Sequence, residues 1–599
     1  MDIKSEIIKI LRVAGVTGEI DLTTPPKPEM GDLAFACFNL AKELKMNPVE
    51  IAKQLAIVIS NPKGEKSLSA FNSSGGDSSS PLKGSLGMTV KNARDDNRIV
   101  GRVAAFGPYV NFFLNTGALA SEIIPAVANK KYGTNNFGKG KKILVEYPAN
   151  NTHKEIHVGH LRNICLGNSL IKIFEANGFN IIPINYLNDF GAHVAKCLWG
   201  LLKFHKNEKP PANKQRWLGA IYTEASIYLA EHPEAKDEIA IIQNKIEKHD
   251  KTIWPLYKTT RQWSIAGFNI IFKELGVRHK TVLYEHEVKE AGQKLVDELL
   301  KKGVAQVGEG GAIIVDLNKY NLDIGLLRKS NGLGLYLTSD LGLAQLRNKT
   351  FPKIFQSVHL TGIEQNFYFK QLFKILELAG FNYQTKHIGY GLVSTTSGKM
   401  SSRLGNVLLY EDLRDEVYEK LLSETAKRHT DWSKKKIATT AHTITQAAIK
   451  FEILKHEAEK VIVFDPATAA SFDGFTGPYV LYTVARINSI IKKSSHRTVI
   501  PMKIGISVPL TSPEEKKLLL LLSQYGEIIQ KAYNNYNPSV VIKYTFDLAQ
   551  AYNEFYNKHS VLQAESKELI SARVQLSGAV RTVLTKSLDI LGIEVVGEM

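Results

Sequence analysis

The sequence predicts a multidomain protein built around an α/β doubly wound, Rossmann-like domain that carries a helical insertion. Residues 143–184 read as strand, turn, helix and strand, which is a βαβ unit. The same alternation returns after residue 330, and helix-period runs rich in Lys and Glu separate the two halves. After about residue 430 only helix-period runs follow. We therefore predict a small N-terminal α/β domain, the doubly wound domain, and a C-terminal all-α helical bundle.

The predicted N-terminal domain covers residues 1–125. It opens with an amphipathic helix, and residues 100–114 alternate like strands around a Gly-Pro turn. Within this domain, residues 62–98 are rich in Ser and Gly and lack periodicity, which is typical of a flexible surface insertion. A recognition loop is the alternative, because long segments without secondary structure often carry function.

The doubly wound domain is predicted at residues 126–435, with its insertion at about 195–330, and the helical bundle at residues 436–599. Inside the insertion, Gly308–Gly311 resembles a phosphate loop in composition only. No helix start follows these residues, so the sequence favours a hairpin turn there.

Composition narrows the possible functions. The 599 residues include 76 Lys and Arg against 59 Asp and Glu, a formal charge of +17. This surplus suits a polyanionic partner such as nucleic acid, although solubility alone is the alternative. The three cysteines are scattered without a CxxC pair, which excludes a disulfide framework and a cysteine zinc site and indicates a reducing compartment. No apolar run approaches the ~20 residues of a membrane span.

A turn with two histidines follows the first strand of the βαβ unit, within Val145–Leu161. His157 and His160 flank Gly159, where the helix begins and free backbone N–H groups favour phosphate. The pair fits a phosphate clamp, a structural pair of histidines, or a metal site that lacks a recognisable third ligand. Lys154, three residues before His157, adds a cation at the same turn.

A second candidate loop, Gly398–Arg403, follows a strand-like run and reads GKMSSR. Small residues surround its cations, so the loop could close on a ligand. On its own, the sequence of this loop favours a solvated basic turn over a ligand-binding loop.

Together the two motifs resemble those of the class I aminoacyl-tRNA synthetases. His157–His160 matches their HIGH motif and Lys399–Arg403 matches KMSKS, in the same order and on either side of an insertion. The segment VEYPANNTHKEIHVGHLRN, the earlier GPYVNFFLN, and the final LGIEVVGEM resemble the arginyl-tRNA synthetase family more narrowly. The resemblance extends over nearly the whole chain outside residues 62–98.

The resemblance implies an arginine–tRNA ligase. Such an enzyme activates L-arginine with ATP to arginyl-adenylate, releases pyrophosphate, and transfers arginine to the 3′ end of tRNA(Arg) with release of AMP. It also implies Mg²⁺ with ATP, no protein-bound zinc, no membrane association, activation that depends on tRNA, and a monomeric, cytoplasmic protein. The small N-terminal domain would contact the tRNA elbow, and the helical bundle would bind the anticodon.

The resemblance also implies the site residues. The catalytic residues would be His157, His160, Lys154 and Lys399. ATP would contact Gly159, Gly362, Glu364, Val393, Lys399, Met400 and Ser401. Arginine would contact Glu146, Asn150, Asn151, His160, Tyr336, Asp340 and Gln365. Tyr336 and Asp340 are four residues apart and hence on one face if their segment is helical.

One departure from the family concerns the second lysine of KMSKS, which is Ser402 here. Lys154 would supply the missing charge, with Arg403 as the alternative. Three alternative functions fit the sequence less well. These are a class I synthetase for another amino acid, a catalytically inactive tRNA-binding relative, and a plain nucleotidyltransferase of the same fold.

Overall fold

A computed structural model describes residues 3–60, 99–332, 334–395, 408–497 and 510–599. The predicted insertion at residues 62–98 and the loop Gly398–Arg403 lie outside these ranges. The chain divides into two compact units. The first consists of Met1–Tyr132, Arg486–Gly526 and Leu548–Leu584, and the second of Gly133–Ala485, Glu527–Asp547 and Thr585–Met599.

The N-terminal part of the first unit is an antiparallel sheet covered by helices. Its elements are α1 (Ile3–Val13), β1 (Leu22–Thr23), β2 (Leu33–Ala36), α2 (Phe38–Leu44), α3 (Pro48–Ser60), β3 (Val100–Phe106), β4 (Tyr109–Leu114) and α4 (Thr116–Ala128). The strand order is β1-β2-β4-β3, and all pairs are antiparallel. Ile7 and Leu11 are fully buried one helical turn apart on α1, as the amphipathic pattern predicts.

A five-stranded parallel sheet is the centre of the second unit. Its strands are β5 (Lys142–Glu146), β6 (Asn180–Leu187), β7 (Thr281–Tyr284), β11 (Gln356–Gly362) and β12 (Gln384–Tyr390), in the order β12-β11-β5-β6-β7. Helices α5 (Val158–Ala176), α11 (Tyr336–Thr350) and α12 (Asn366–Leu378) belong to its crossovers. Strand order reverses between β5 and β11, so ligands are expected at the carboxyl edge there.

The predicted insertion is not purely helical. It contains α6 (Ala192–Phe204), α7 (Lys214–Glu231), α8 (Ala235–Glu247), α9 (Trp254–Leu275) and α10 (Glu285–Lys301). It also contains β7 of the main sheet, which the helical expectation for this stretch missed because four residues carry little periodic signal. Strands β8 (Gln306–Val307), β9 (Ile313–Asp316) and β10 (Ile324–Arg328) form a separate antiparallel sheet. The predicted hairpin turn at Gly308–Gly311 is confirmed between β8 and β9.

One strand lies in the segment for which the sequence predicts helices only. Between α14 (Lys434–Leu454) and α15 (Pro466–Ala469), β14 (Ile462–Phe464) pairs in parallel with β13 (Val393–Thr395). The three-residue strand forms through this long-range pairing, which no local pattern reveals. The preceding helix is α13 (Tyr410–Arg428).

The remaining helices are α16 (Gly477–Arg497), α17 (Pro513–Ser523), α18 (Tyr525–Asn534), α19 (Ser539–Lys558) and α20 (Lys567–Ile590). In the first unit, Lys516 on α17 forms an ion pair of 2.5 Å with Asp32. In the second, Tyr533 on α18 packs against Phe137, Phe174 and Phe179. No helix among the described residues is long and apolar enough to cross a membrane.

Candidate active site

A cavity of about 690 Å³ opens at the carboxyl ends of β5, β6, β11 and β12. This is the edge that the switch in strand order marks for ligand binding. Most of the site residues predicted from the sequence line it: Glu146, Asn151, His157, Gly159, His160, Tyr336, Asp340, Gly362, Glu364, Gln365 and Val393.

The structure does not place the remaining predicted residues in the cavity wall. Asn150 is 1% exposed, does not line the cavity, and neither polar atom of its side chain has a hydrogen-bond partner. Lys154 does not line the cavity either, and its Nζ lies 4.9 Å from the centre of the Tyr222 ring. Lys399, Met400 and Ser401 lie outside the described residues. Roles for these residues stay predictions.

His157, Gly159 and His160, which we call the histidine turn, begin helix α5. Nδ1 of His157 accepts a hydrogen bond from the Gly159 N–H at 3.1 Å, and the His157 N–H donates to Nδ1 of His160 at 3.2 Å. The two rings stack with their centroids 3.8 Å apart. Gly159 leaves no room for a side chain, because a Cβ would lie 2.9 Å from Cε1 of His157.

Both imidazoles are neutral near pH 7. Burial and then the charge of Lys154 lower the pKa of His157 to about 4. Burial also lowers the pKa of His160 well below its ordinary value. Because each Nδ1 accepts a hydrogen bond, each neutral ring carries its proton on Nε2. The histidine turn therefore offers two Nε2–H donors and no positive charge.

The histidine turn also pairs through its backbone with the chain that follows residue 407. The Val158 N–H donates to the Leu408 carbonyl at 3.1 Å, and the Tyr410 N–H donates to the Ile156 carbonyl at 3.0 Å. These bonds join the start of α5 to the start of α13.

Arg162 is fully buried on α5 and holds the segment after β12. Its Nη1 donates to the Gly391 carbonyl at 2.8 Å, and its Nη2 donates to the Glu457 carbonyl at 2.9 Å. A Cβ at Gly391 would lie 2.6 Å from the Lys460 carbonyl oxygen, so only glycine allows this approach. Burial lowers the pKa of Arg162 to about 10, which leaves it charged. A buried cation thus fixes the backbone next to Val393 in the cavity wall.

Glu146, Glu285 and Asp340 also line the cavity, and we call them the carboxylate cluster. Glu146 is buried, accepts a hydrogen bond from Nη2 of Arg347, and lies 3.6 Å from Nδ1 of His359. Burial raises the pKa of Glu146, and the charge of Arg347 opposes this rise. Because Arg347 matches the charge of Glu146, the carboxylates left for a ligand are Asp340 and Glu285.

Asp340 and Glu285 have raised pKa values because each has lost hydration. The pKa of Asp340 is raised to about 6, although the hydrogen bond that it accepts from the Tyr368 hydroxyl lowers it in part. The pKa of Glu285 is raised to about 7 by burial and by the charges of Asp189 and Asp340. A cation bound between these carboxylates would stabilise their ionised forms.

Asp189 links two segments of the chain whose neighbouring residues line the cavity. It is fully buried, and its Oδ2 lies 2.6 Å from Nε of Arg261 and 2.8 Å from Nδ1 of His286. Burial alone would raise the pKa of Asp189, but His286 and Arg261 outweigh it and hold the pKa below its ordinary value. Its chain neighbour Asn188 and the neighbour of His286, Glu285, both line the cavity.

The sequence prediction missed Arg162, Arg347 and Glu285. A charged residue between Leu161 and Ile164 in an apolar helix is a usable signal for Arg162, because a buried charge requires partners. Glu285 follows directly after β7, so recognising that strand would have placed Glu285 at the carboxyl edge. No signal in the sequence pairs Arg347 with Glu146. Among the described residues, no three His, Cys, Asp or Glu side chains are grouped so that they could hold a metal ion.

Comparison with known proteins decides the family. A model of the catalytic domain of tRNA synthetases class I (R) matches residues 122–465, more than half of the chain. The chain belongs to the class I arginyl-tRNA synthetase family. An arginyl tRNA synthetase N-terminal domain matches residues 1–73, and a DALR anticodon binding domain matches residues 480–599. The resemblance seen in the sequence is thereby confirmed.

Relatives within the arginyl-tRNA synthetase family match over the full length. The arginine–tRNA ligase of Clostridium beijerinckii is 33% identical over 611 residues, covering 100% of both chains, and that of Clostridium perfringens is 34% identical over 96% of this chain and 95% of its own. The solved arginyl-tRNA synthetase of Thermus thermophilus has a TM-score of 0.78 at 22% identity, covering 100% of this chain and 99% of its own. The Plasmodium falciparum structure has a TM-score of 0.74 at 18% identity, with the same coverage. These structures confirm the predicted fold class.

Proposed function

We propose that this protein is an arginine–tRNA ligase that forms arginyl-adenylate from L-arginine and ATP and then arginylates tRNA(Arg). The observation that carries the proposal is one cavity that joins the histidine turn to the carboxylate cluster. The histidine turn suits phosphate, because it combines Nε2–H donors with the start of a helix. The carboxylate cluster suits a guanidinium, because carboxylates accept its planar array of donors.

The first step joins arginine to the α-phosphate. An oxygen of the arginine carboxylate, already ionised near pH 7, attacks the α-phosphorus of ATP, which enters as its magnesium complex. A carboxyl O–Pα bond forms, and the bond from Pα to the bridging oxygen breaks. That oxygen leaves with the electron pair as pyrophosphate. Since no proton must be removed, catalysis comes from positioning and from donors to the growing phosphate charge.

The second step transfers arginine to tRNA. A hydroxyl of the 3′-terminal ribose attacks the arginyl carbonyl carbon, and the bond from that carbon to the phosphate oxygen breaks. AMP leaves with the electron pair, and the hydroxyl proton is released. This step uses the same cavity, so the tRNA end must reach the carboxyl group of bound arginine.

On the ATP side, we assign two roles. His157 and His160 donate hydrogen bonds to the α- and β-phosphates, and Lys154 and Lys399 supply positive charge to the phosphates. Gly159 gives the nucleotide access to the backbone. The other proposed ATP contacts are Gly362, Glu364, Val393, Met400 and Ser401.

On the arginine side, Asp340 and Glu285 bind the guanidinium, while Glu146 is balanced by Arg347 and completes the cluster. Tyr336, at the start of α11 and 79% exposed, would cover the bound side chain. The proposed contacts of the amino and carboxylate groups are Asn150, Asn151, His160 and Gln365.

We further propose three working parts. Residues 1–125 contact the tRNA elbow, residues 126–435 carry the chemistry, and residues 436–599 bind the anticodon. The formal charge of +17 supports a polyanionic partner, since Lys and Arg contacts to phosphate supply much of the affinity for nucleic acid. We also propose a cytoplasmic monomer.

The test is pyrophosphate exchange into ATP with the purified protein, measured for each amino acid with and without tRNA. We expect exchange with arginine that requires cognate tRNA, followed by arginylation of that tRNA. Exchange with a different amino acid, or none in the presence of tRNA(Arg), would overturn the proposal.

A further inference from the structure

Two lysines from different parts of the second unit face one tyrosine ring. Nζ of Lys154 and Nζ of Lys196 each lie 4.9 Å from the ring centre of Tyr222. Lys154 belongs to the loop before the histidine turn, and Lys196 lies on α6. Both ammonium groups therefore lie against the same ring, although like charges repel.

One face of α7 holds these two lysines. Gln215, Tyr222 and Ser226 are spaced by seven and four residues, so they share a face of the helix. Nε2 of Gln215 donates to the Lys154 carbonyl at 2.8 Å, and Nζ of Lys196 donates to Oγ of Ser226 at 3.2 Å. These polar contacts come from the helical insertion.

His153, the residue before Lys154, is held in place by burial and by hydrogen bonds. His153 is fully buried with a φ of +63°, a conformation that costs energy for a residue with a side chain. Its N–H donates to Oγ of Ser264 at 2.9 Å, and its Nε2 lies 2.8 Å from Oγ1 of Thr260. The backbone therefore presents Lys154 from a fixed position, while its long side chain keeps its own rotamers.

Among the described residues, Lys154 and Lys196 have no carboxylate partner of the kind that surface lysines usually have. Within the part of the chain that the structure describes, no carboxylate lies within salt-bridge distance of Lys154 or Lys196. Lys203, two turns further along α6, offers the contrast. It also stacks on aromatic rings, Trp199 and Tyr228, but forms an ion pair of 3.5 Å with Glu238.

The charge of Lys154 reaches the histidine turn. Lys154 precedes His157 by three residues, and its charge contributes to the lowered pKa of His157 and of His160. Both histidines line the cavity. Lys154 lies three residues before a turn that suits phosphate, Lys196 lies against the same ring as Lys154, and neither has a carboxylate partner among the described residues. This arrangement is suited to receive an anion.

We propose that Lys196 acts with Lys154 to bind the β- and γ-phosphates of ATP and the pyrophosphate that leaves. This inference rests on the proposed function. As the bond from Pα to its bridging oxygen breaks, negative charge grows on the β-phosphate, and the two ammonium groups donate to its oxygens. Lys196 thereby supplies part of the charge that Ser402 does not provide in the KMSSR loop.

The test compares Lys196→Met with Lys203→Met, two lysines on one helix that stack on aromatic rings and differ in their carboxylate partner. Losing a donor to a charged group is expected to raise KM for pyrophosphate and for ATP about tenfold in arginine-dependent exchange. KM for arginine should not change, and Lys196→Arg should recover most of the activity. Lys203→Met should stay within about twofold of wild type, because no phosphate contact is lost.

Wild-type values of KM for pyrophosphate and ATP in Lys196→Met would overturn the inference. If Lys196→Met does not fold, acylation of the wild-type protein replaces it. Pyrophosphate should slow the reaction of Lys196 with acetic anhydride and leave that of Lys203 unchanged, as measured by mass spectrometry. Equal rates with and without pyrophosphate would also overturn the inference. Failure of the proposed function is distinct, since the wild-type protein would then show no arginine-dependent exchange.

Discussion

The histidine turn and the carboxylate cluster line the same cavity but are prepared for their ligands in opposite ways. The histidine turn is stable and uncharged without a ligand, because the Nδ1 atoms of His157 and His160 accept backbone hydrogen bonds and both rings are neutral. The carboxylate cluster is not satisfied, because burial raises the pKa values of Asp340 and Glu285 to about 6 and about 7. The difference indicates that the carboxylate cluster depends on a cationic ligand, whereas the histidine turn gains donors to phosphate at little electrostatic cost.

The largest expected effect follows from breaking the carboxylate cluster. Asp340→Asn removes a charge that we propose binds the guanidinium of arginine, and truncating one partner of a buried charge pair costs roughly 2–5 kcal/mol. We expect kcat/KM for arginine to fall about 100-fold or more, with KM for ATP unchanged. Steady-state exchange assays measure both values. A parallel rise in KM for ATP would contradict the separation of the two sites.

The next largest effect tests the nucleotide side. Arg162→Gln removes the buried guanidinium that holds the Gly391 and Glu457 carbonyls. We expect KM for ATP to rise about 20-fold and KM for arginine to stay constant, since hydrogen bonds to charged groups contribute about 1.5–3 kcal/mol.

The control for this change is Lys450→Gln. Lys450 is also buried and donates to a backbone carbonyl, that of Gly592 at 2.8 Å, but Gly592 does not line the cavity, whereas Gly391 does. Lys450→Gln should lower thermal stability and leave KM for ATP unchanged. If both variants raise KM for ATP equally, Arg162 has only a general structural role.

The pH dependence of the wild-type enzyme's kinetics should distinguish the carboxylate cluster from the histidine turn. Asp340 and Glu285 must be ionised to bind a guanidinium, so protonation on going from pH 7 to pH 5 should lower kcat/KM for arginine about tenfold or more. The histidine turn should not titrate in this range, because the pKa of His157 is about 4. At saturating arginine and ATP, kcat should therefore stay nearly flat, and a parallel loss of kcat would contradict the neutral histidines.

The smallest expected effect comes from a change that tests how the pKa of Asp340 is set. Tyr368→Phe removes the hydroxyl that donates to this carboxylate and so raises the pKa of Asp340 further. We expect KM for arginine to rise about fivefold at pH 7, in line with about 1 kcal/mol for one hydrogen bond. The acid limb of kcat/KM should shift to higher pH, and an unshifted limb would assign it to Glu285.

Short-range sequence patterns predicted the parts of the site that lie within one continuous segment of the chain. The strand, turn and helix around His157 follow from periodicity and turn chemistry. For Tyr336 and Asp340 the prediction was conditional on a helical segment, and the structure shows that helix. The pairing of Glu146 with Arg347 depends on how distant elements pack, and no spacing in the sequence encodes it.

The dependence on long-range packing also explains why the sequence did not predict the short strands or the position of the Lys154 side chain. Strands β7 and β14 have four and three residues, too few for a period to emerge, and each forms by pairing with a distant strand. Lys154 was predicted at the site from its place in the sequence. Its position on Tyr222 depends on α7 of the insertion.

The backbone bonds of Val158 to Leu408 and of Tyr410 to Ile156 have a thermodynamic consequence. They join residues on opposite sides of the helical insertion, and closing a loop of that length costs on the order of 5 kcal/mol of chain entropy. Folding offsets this entropy loss before any ligand binds. A ligand that binds at the histidine turn therefore does not need to draw the start of α13 toward it, and its binding free energy remains available for the transition state.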